Sequence, residues 1–277
     1  MLYKKFAPAP DLALFVECYY LWRSEGEVVQ NLVVESPPNG FCSIVFNGGD
    51  PYYLQNKKYQ QLVVPACFIA GQAIYSYQLF LNGTINLAGI VLKPAALATL
   101  FDLPTYQYTE ERVDLAQVFP AAVVESFAVQ IKAAMDENTC VQLLEKFLRN
   151  LMSKPPEPDY IDTAANAIVE RNGMLQVTDL LADSCMSRRT FERHFFKKVG
   201  LSPKYYARIR RIGYLCNLVA GKKKVDWAKI FYECEFYDQA HFIKDFEAFT
   251  GRTPQQYLKE NTELANLVEK PIVRHLH

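Results

Sequence analysis

Hydrophobic and polar positions follow two different periods along the chain. Residues 1–110 hold short runs rich in Tyr, Phe, Val and Ile, separated by turn sequences such as NGGDP (47–51), and such runs are typical of β-strands. Asn82-Gly83 lies between two of these runs and predicts a tight hairpin, because a type I′ turn needs positive φ at both central residues. From residue 114 onward apolar residues recur every three or four positions, which predicts helices. The pattern therefore predicts an α+β chain, β-rich first and helical afterwards.

The stretch SKPPEPD (153–159) divides the chain, because three prolines in seven residues cannot continue a helix. The predicted units are a β-rich domain with terminal helices over 1–152, a linker over 153–159, an all-helical domain over 160–262 and a tail over 263–277. The helices at 118–152 carry an apolar stripe, formed by Leu144, Phe147, Leu148 and Leu151. This stripe either packs on its own domain or forms a dimer interface, and the pattern leaves both open.

The helical part contains an internal repeat with a spacing of 51 residues. Phe191, Phe195, Gly200, Pro203 and Tyr206 recur as Phe242, Phe246, Gly251, Pro254 and Tyr257. The two phenylalanines share a helix face, the glycine ends the helix, and the Ser-Pro or Thr-Pro pair begins the next one. A short apolar stretch precedes each copy, VTDLLAD (177–183) and DWAKIFYEC (226–234). Each unit is predicted to be a helix-turn-helix whose second helix lies at the surface.

Positive charge is concentrated on the first copy. The chain has 30 basic and 30 acidic residues, yet residues 187–224 hold twelve Lys and Arg against one acid. One side of the helical wheel carries Phe191, Phe195 and Val199, and the other carries Arg189, Glu192, Arg193 and Lys197. A face so dominated by one sign predicts a helix in the major groove of DNA, where Arg can bind guanine. The cations suited to phosphates are Lys197, Lys198, Lys204, Arg208, Arg210 and Arg211.

Residues 175–260 resemble the DNA-binding domain of AraC-type transcriptional regulators. The resemblance rests on SRRTFERHFFKKVGLSP, YYARIRRIGYLCNLVAG and FYDQAHFIKDFEAFTGRTPQQY, whose Phe, Gly and Ser/Thr-Pro positions match in register twice. It implies two helix-turn-helix units joined by a long helix, sequence-specific binding to double-stranded DNA, and base contacts from the first half of each recognition helix. The implied base-contact positions are Arg188, Arg189, Glu192 and Arg193 in the first unit, and Gln239, Ala240, His241, Ile243 and Lys244 in the second. A hydrogen-bonded structural role is the alternative for His241.

The sequence departs from the family pattern in three places. Glu235 stands where the turn normally holds Gly, and Phe196 occupies an outward position that is usually basic. The second recognition helix (238–249) has Lys244 against Asp238, Asp245 and Glu247. We therefore expect the first unit to do most of the direct base reading and the second mainly to position the domain.

The first 150 residues resemble, more loosely, the sensor domain that precedes such units, chiefly through GIVLKPAALATLFDLP (89–104). The resemblance implies a domain that binds a small-molecule effector or dimerises, and it leaves contact with RNA polymerase open. The density of aromatic residues suits a sugar or an apolar effector, with Trp22, Tyr52 and Tyr77 as candidate pocket residues; ordinary strand core is the alternative for each. Residues 1–158 hold no histidine, which disfavours a metal-binding cupin, and no cofactor-binding or nucleophile motif is present.

Seven widely spaced cysteines, odd in number, argue against a disulfide framework or a zinc site and fit a reducing cytoplasm. We expect neither a signal peptide nor a membrane span, because long apolar runs are missing. Two alternatives stand beside a non-enzymatic regulator. One is an enzyme, such as a Cys-dependent repair protein, with an appended DNA-binding module; the other is a protein whose basic face binds an acidic partner.

Overall fold

The computed structural model describes residues 1–152, 156–222, 224–260 and 272–273. The strands are β1 (Leu2–Phe6), β2 (Val16–Arg23), β3 (Val29–Ser36), β4 (Cys42–Asn47), β5 (Tyr53–Gln55), β6 (Leu62–Val63), β7 (Cys67–Ala70), β8 (Tyr77–Gly83), β9 (Asn86–Leu92), β10 (Arg112–Asp114) and β11 (Ile272–Val273). They form a seven-stranded sheet of order β10-β7-β4-β9-β2-β1-β11 and a four-stranded sheet of order β3-β8-β5-β6. Apart from the two residues of β11, the predicted tail lies largely outside the described residues, as does part of the linker.

The helices follow the strands along the chain. They are α1 (Ala96–Phe101), α2 (Ala121–Ala133), α3 (Glu137–Leu151), α4 (Tyr160–Glu170), α5 (Val177–Ala182), α6 (Arg188–Val199), α7 (Pro203–Val219), α8 (Trp227–Glu233), α9 (Gln239–Thr250) and α10 (Pro254–Glu260). Two single-turn 3-10 helices lie at Thr105–Gln107 and Leu115–Gln117. This order confirms the α+β class predicted from the sequence.

The seven-stranded sheet is covered on both faces. On one face its side chains pack with α1, α2 and α3 in a core that includes Phe6, Tyr19 and Phe147. On the other face it meets the four-stranded sheet around Trp22, Val45 and Leu54. The helices α4 to α10 have a separate core of their own.

The apolar stripe of α3 packs on its own domain. Leu144, Phe147 and Leu148 are fully buried, and the Phe147 ring meets the edge of Phe46 of β4 at 5.0 Å between centroids. A stripe already covered by the sheet is not available to a second copy, so the dimer-interface alternative for these residues is wrong.

Asn82-Gly83 does not make the predicted hairpin. Gly83 has φ of 92°, but Asn82 is outside the positive-φ region, and β8 and β9 belong to different sheets. The Asp50 carboxylate accepts hydrogen bonds from the backbone N–H and the hydroxyl of Thr84 at 2.6 and 2.9 Å. These bonds hold the chain where it crosses from one sheet to the other.

The repeat forms the predicted capped helices. Gly200 and Gly251 end α6 and α9 with φ of 84° and 75°. The hydroxyl oxygen of Ser202 accepts a hydrogen bond from the Tyr205 N–H, and that of Thr253 accepts one from the Gln256 N–H. Local residue chemistry therefore sets the same boundaries in both units.

The turn between α8 and α9 contains a strained residue. Glu235 has φ of 52°, a left-handed conformation that costs a residue with a side chain about 1–2 kcal/mol. We expect Glu235→Gly to raise the free energy of unfolding by about 0.5–1 kcal/mol, since glycine relieves the strain but gains freedom in the unfolded chain. Urea unfolding measures this change. Ala248→Gly, in the regular part of α9, should lower stability instead by about 1 kcal/mol.

Candidate nucleic-acid interface and effector cavity

The first recognition helix, α6, begins with a cap and buries one face. The hydroxyl of Ser187 accepts a hydrogen bond from the Thr190 N–H at the start of the helix. Phe191, Phe195 and Val199 are fully buried in the helical core. The buried face of α6 is therefore the one that the helical wheel predicts from the sequence.

The outward face of α6 carries the basic side chains. Arg188, Arg189 and Arg193 are exposed, and Lys197 lies further along the same helix, also exposed. The Arg188 Nε donates to the Glu192 carboxylate at 2.9 Å, one turn away. This face is open along its N-terminal half, so two guanidinium groups, those of Arg189 and Arg193, are free to reach a ligand.

The cations that flank α6 divide into two groups. Lys197 and Lys204 are exposed, whereas four others make contacts inside the protein. Lys198 lies between the carboxylates of Asp159 and Asp162 at 2.9 and 2.7 Å. Burial alone would lower the pKa of Lys198, but its hydrogen bonds to Asp162 and Asp159 raise it.

The three arginines of α7 are held by protein groups. Arg208 donates two hydrogen bonds, at 2.6 and 3.0 Å, to the buried carboxylate of Asp245 on α9. Arg210 donates to the Asn39 carbonyl, and Arg211 donates to the carbonyls of Gly173 and Glu235. The basic surface is therefore smaller than the sequence count of twelve cations indicates.

The second recognition helix, α9, presents a different surface. Gln239, Ala240, His241 and Lys244 are exposed, and Ile243 is half-buried. Asp238 accepts a hydrogen bond from the His241 N–H and caps the helix. Asp245 is buried against Arg208, so one of the three acids counted from the sequence faces inward.

The C-terminal end of α6 is docked on the N-terminal part. The Thr105 hydroxyl donates to the Lys198 carbonyl at 2.6 Å, and the amide of the buried Gln72 donates to the Val199 carbonyl. The Phe196 ring stacks on the Tyr106 ring at 5.5 Å between centroids. Phe196, unusual at an outward position, is thus explained by this contact.

A cavity of about 380 Å³ lies between the two sheets. Trp22, Tyr52 and Tyr77, the three candidates named from the sequence, all line it. So do several residues that the sequence did not single out: Tyr3, Tyr20, Phe41, Arg112, Arg210, Gly213 and Asn217. The last three come from α7, so the helix that joins the two helix-turn-helix units forms part of the cavity wall.

Gly213 is the one of these residues with a sequence signal, since an isolated glycine inside a helix often marks close backbone approach. A Cβ at this position would fall on the Pro38 carbonyl oxygen. The neighbouring Arg210 guanidinium lies 4.3 Å from the centroid of the Phe41 ring. The loop before β4 is therefore pressed directly against α7.

We expect Gly213→Ala to lower the free energy of unfolding by about 1 kcal/mol or more. Alanine raises helix propensity by about 1 kcal/mol, but overpacking typically costs about 1–3 kcal/mol, and the backbone of Pro38 has to move. Urea unfolding gives the sign. Asn217→Ala, which adds no atoms to the same helix, should change stability by less than about 0.5 kcal/mol; a Gly213→Ala protein more stable than the parent would contradict the close contact.

Cysteine chemistry gives little support to the enzyme alternative. Burial raises the pKa of the thiols of Cys18, Cys67 and Cys234 to about 11 and of Cys42 and Cys216 to about 12. Cys185 is exposed in the turn before α6.

Within the described part of the chain, no group of three or more His, Cys, Asp and Glu side chains is placed to hold a metal ion. Among the same residues, no helix is both long and apolar enough to span a membrane.

Comparison with known proteins gives two family matches. Residues 180–260 match a helix-turn-helix domain, and residues 4–114 match a domain of unknown function, DUF6597. No curated protein matches the chain.

Several solved structures are similar to this chain at low sequence identity. ToxT from Vibrio cholerae is 12% identical, with 88% of this chain and 98% of that chain covered and a TM-score of 0.47. ToxT with a bound unsaturated fatty acid is 14% identical, with 84% and 98% covered and a TM-score of 0.44. The AraC-like transcriptional activator CuxR is 14% identical, with 76% and 85% covered and a TM-score of 0.28. All three TM-scores lie below 0.5.

Proposed function

We propose that the chain is a sequence-specific transcriptional regulator of the AraC type, whose binding to double-stranded DNA is gated by a small-molecule effector. The match of residues 180–260 to a helix-turn-helix domain supports this proposal. The division proposed is a sensor domain over 1–152, a linker over 153–159 and a DNA-binding domain over 160–262. One observation carries the DNA part: Arg189 and Arg193 lie exposed on the outward side of a capped helix whose other side is fully buried.

The contacts proposed with DNA follow from exposure. The proposed base contacts of the first recognition helix are the exposed Arg188, Arg189 and Arg193 and the half-buried Glu192. An Arg side chain can form two hydrogen bonds to guanine. Gln239, His241 and Lys244 are the corresponding positions of the second helix. Lys197 and Lys204 are the phosphate contacts best supported by the structure, because both are exposed.

Gating by an effector is supported by the cavity wall. Arg210, Gly213 and Asn217 of α7 line the same cavity as the strand residues of the sensor part. A molecule in that cavity would therefore contact both parts of the chain. An effector shifts the protein between states only by binding one of them better than the other, and a site shared by two parts can do so when their contact changes.

Selection of bound fragments from random duplex DNA tests the proposal. We expect one enriched motif, and an affinity for it that falls steeply as salt concentration rises, because phosphate contacts release counterions. Lys146 is an exposed lysine of α3 on the sensor part. Lys146→Ala removes one positive charge outside the proposed DNA-binding domain, so this control variant should bind the motif as the parent does. No enriched motif, or equal binding to all duplexes, would contradict sequence-specific regulation and favour an acidic protein partner or non-specific binding.

A further inference from the structure

Five aromatic side chains that carry a hydroxyl or an indole N–H line the cavity between the sheets. They are Tyr3, Tyr20, Trp22, Tyr52 and Tyr77. The rings of Tyr3 and Tyr20 stack at 6.1 Å between centroids, and Tyr3 meets Trp22 edge-on at 6.2 Å. The remaining wall is mostly aliphatic and aromatic, with Val45, Leu54 and Phe68 among its residues.

The backbone is shaped to admit one of these rings. The Tyr20 ring lies over Gly89 of β9, where any Cβ would collide with the ring carbons. A glycine in a central strand weakens the sheet, so its presence indicates close approach of another group. The Tyr20 ring therefore packs over its paired residue on the neighbouring strand and forms part of the cavity wall.

The polar ends of these aromatic residues have no partners in the protein. Trp22 is about 5% exposed, and its indole N–H makes no hydrogen bond. Among the described residues, the hydroxyls of Tyr3, Tyr20, Tyr52 and Tyr77 also make none. An unsatisfied buried donor is costly, so a ligand that supplies an acceptor to the Trp22 indole gains more than the usual amount.

The hydroxyls of Tyr3, Tyr20 and Tyr52 remain donors at neutral pH. Burial raises the pKa of Tyr3, Tyr20 and Tyr52 further above the ordinary tyrosine value. Each therefore keeps its proton, and the indole can only donate. The site presents several donor hydrogens beside apolar ring faces.

One charged side chain of the cavity wall is paired with an opposite charge, and two others hold backbone carbonyls. Three basic and two acidic residues line it: Lys5, Arg112, Arg210, Glu17 and Glu35. Glu35 is paired with Arg252, Arg210 is bound to the Asn39 carbonyl, and Arg112 donates to the Glu111 carbonyl and lies 5.2 Å from the Tyr77 ring centroid. Lys5 and Glu17, on adjacent strands, oppose each other in sign. An anion could gain a counter-ion only from guanidinium groups that already hold protein carbonyls, and a cation would lose hydration beside three basic side chains.

We propose that the effector is an uncharged molecule with at least one ring and a hydrogen-bond-accepting oxygen, held by the aromatic faces and by the donor groups of Tyr52, Tyr77 and Trp22. This inference rests on the proposed effector cavity and names the chemistry of its ligand. Pockets of this size accommodate small molecules, with a few polar groups fixing the orientation.

Four small phenyl compounds test the chemistry with the full-length protein. Acetophenone carries the ring and a carbonyl, ethylbenzene lacks the acceptor, benzoate adds negative charge and phenyltrimethylammonium adds positive charge. Binding is followed by the fluorescence of Trp22, with Trp22→Phe, which retains Trp227, as the background. We expect acetophenone to bind about fivefold or more tightly than each of the others, as one net hydrogen bond predicts.

Variants place the binding in the cavity. Tyr52→Phe and Tyr77→Phe keep the rings and remove the hydroxyls, and at least one of them should weaken acetophenone binding about fivefold. Tyr19→Phe is the matched control, because its hydroxyl is also buried without a partner but belongs to the core on the other side of the sheet. That variant should bind as the parent does.

Several outcomes would overturn the proposal. Tighter binding of benzoate or phenyltrimethylammonium would assign a charged ligand, and equal binding of ethylbenzene would assign an apolar one. Absence of binding by all four probes, or no effect of both cavity substitutions, would also contradict it. The preference of the same protein for its selected DNA motif, measured without any probe, shows separately whether the proposed regulatory function stands.

Discussion

Replacing Arg208 by alanine should lower the free energy of unfolding by about 2–3 kcal/mol. The reason is that Asp245, whose side chain is only 3% exposed, would lose the two hydrogen bonds that balance its charge. Removing one partner of a buried ion pair costs about 3–5 kcal/mol, and the partial exposure of Arg208 reduces that figure. Urea unfolding followed by circular dichroism measures the loss.

The same substitution separates a structural role for Arg208 from the phosphate contact predicted by the sequence. A phosphate contact would leave stability unchanged and reduce by about one the slope of log affinity against log salt. Lys204→Ala on the same helix is the matched control: it should keep stability within about 0.5 kcal/mol and should reduce the salt slope. If Arg208→Ala instead left stability unchanged and reduced only the slope of log affinity against log salt, Arg208 would be a phosphate contact.

Combining Arg208→Ala with Asp245→Ala should recover part of the lost stability, because the double variant leaves no uncompensated charge. The pair links α7 to α9, and Asp245 is one turn after His241, whose Nε2 lies 3.7 Å from the same carboxylate. We therefore expect the single variant also to weaken DNA binding, through displacement of the second recognition helix, and the double variant to do so less.

Arg193→Ala should weaken binding to the selected DNA motif by about 1–3 kcal/mol and relax specificity at one base pair. Its side chain is exposed on the outward side of α6, beside Arg189. Lys244→Ala, at the corresponding position of α9, should cost less, because that helix offers fewer free cations. Electrophoretic mobility shifts with the selected duplex and with duplexes altered at single positions measure both effects.

Comparison of these two variants tests the unequal contribution of the two units. Asp245 is buried against Arg208, so the acidic residues that remain on the surface of α9 are Asp238 at the N-cap and Glu247 further along. If Lys244→Ala proves the more damaging substitution, the second unit reads the DNA at least as strongly as the first. Urea unfolding of each variant checks that it is folded. Because these side chains are exposed, the free energy of unfolding should match that of the parent within about 0.5 kcal/mol.

Local chemistry explains which features the sequence could predict. The paired phenylalanines, the glycine stops and the Ser/Thr caps act over three to four residues, so their consequences can be worked out without the fold. Gly200, for example, ends α6 in the left-handed conformation that its position predicts. The buried and exposed sides of α6 follow from the same helical period.

Long-range partners explain what the sequence could not give. Arg210 is bound to a carbonyl 171 positions away, and Lys198 to a carboxylate 36 positions away; a count of charges treats both as free. Asn82-Gly83 has the composition of a hairpin, yet Asp50 holds the following residue and sends the chain to the other sheet. The aromatic candidates Trp22, Tyr52 and Tyr77 could be named, but their meeting around one cavity depends on the pairing of distant strands.

The docking of α6 on the sensor part limits how the molecule can be recombined. Thr105 and Gln72 donate hydrogen bonds to the Lys198 and Val199 carbonyls at the end of α6. In a chimera that joins this DNA-binding domain to a foreign sensor, these two carbonyls would lose their donors. Such a hybrid needs replacement donors at both places or solvent access to them. Grafting experiments should therefore transfer the segment 72–110 together with the helices it supports.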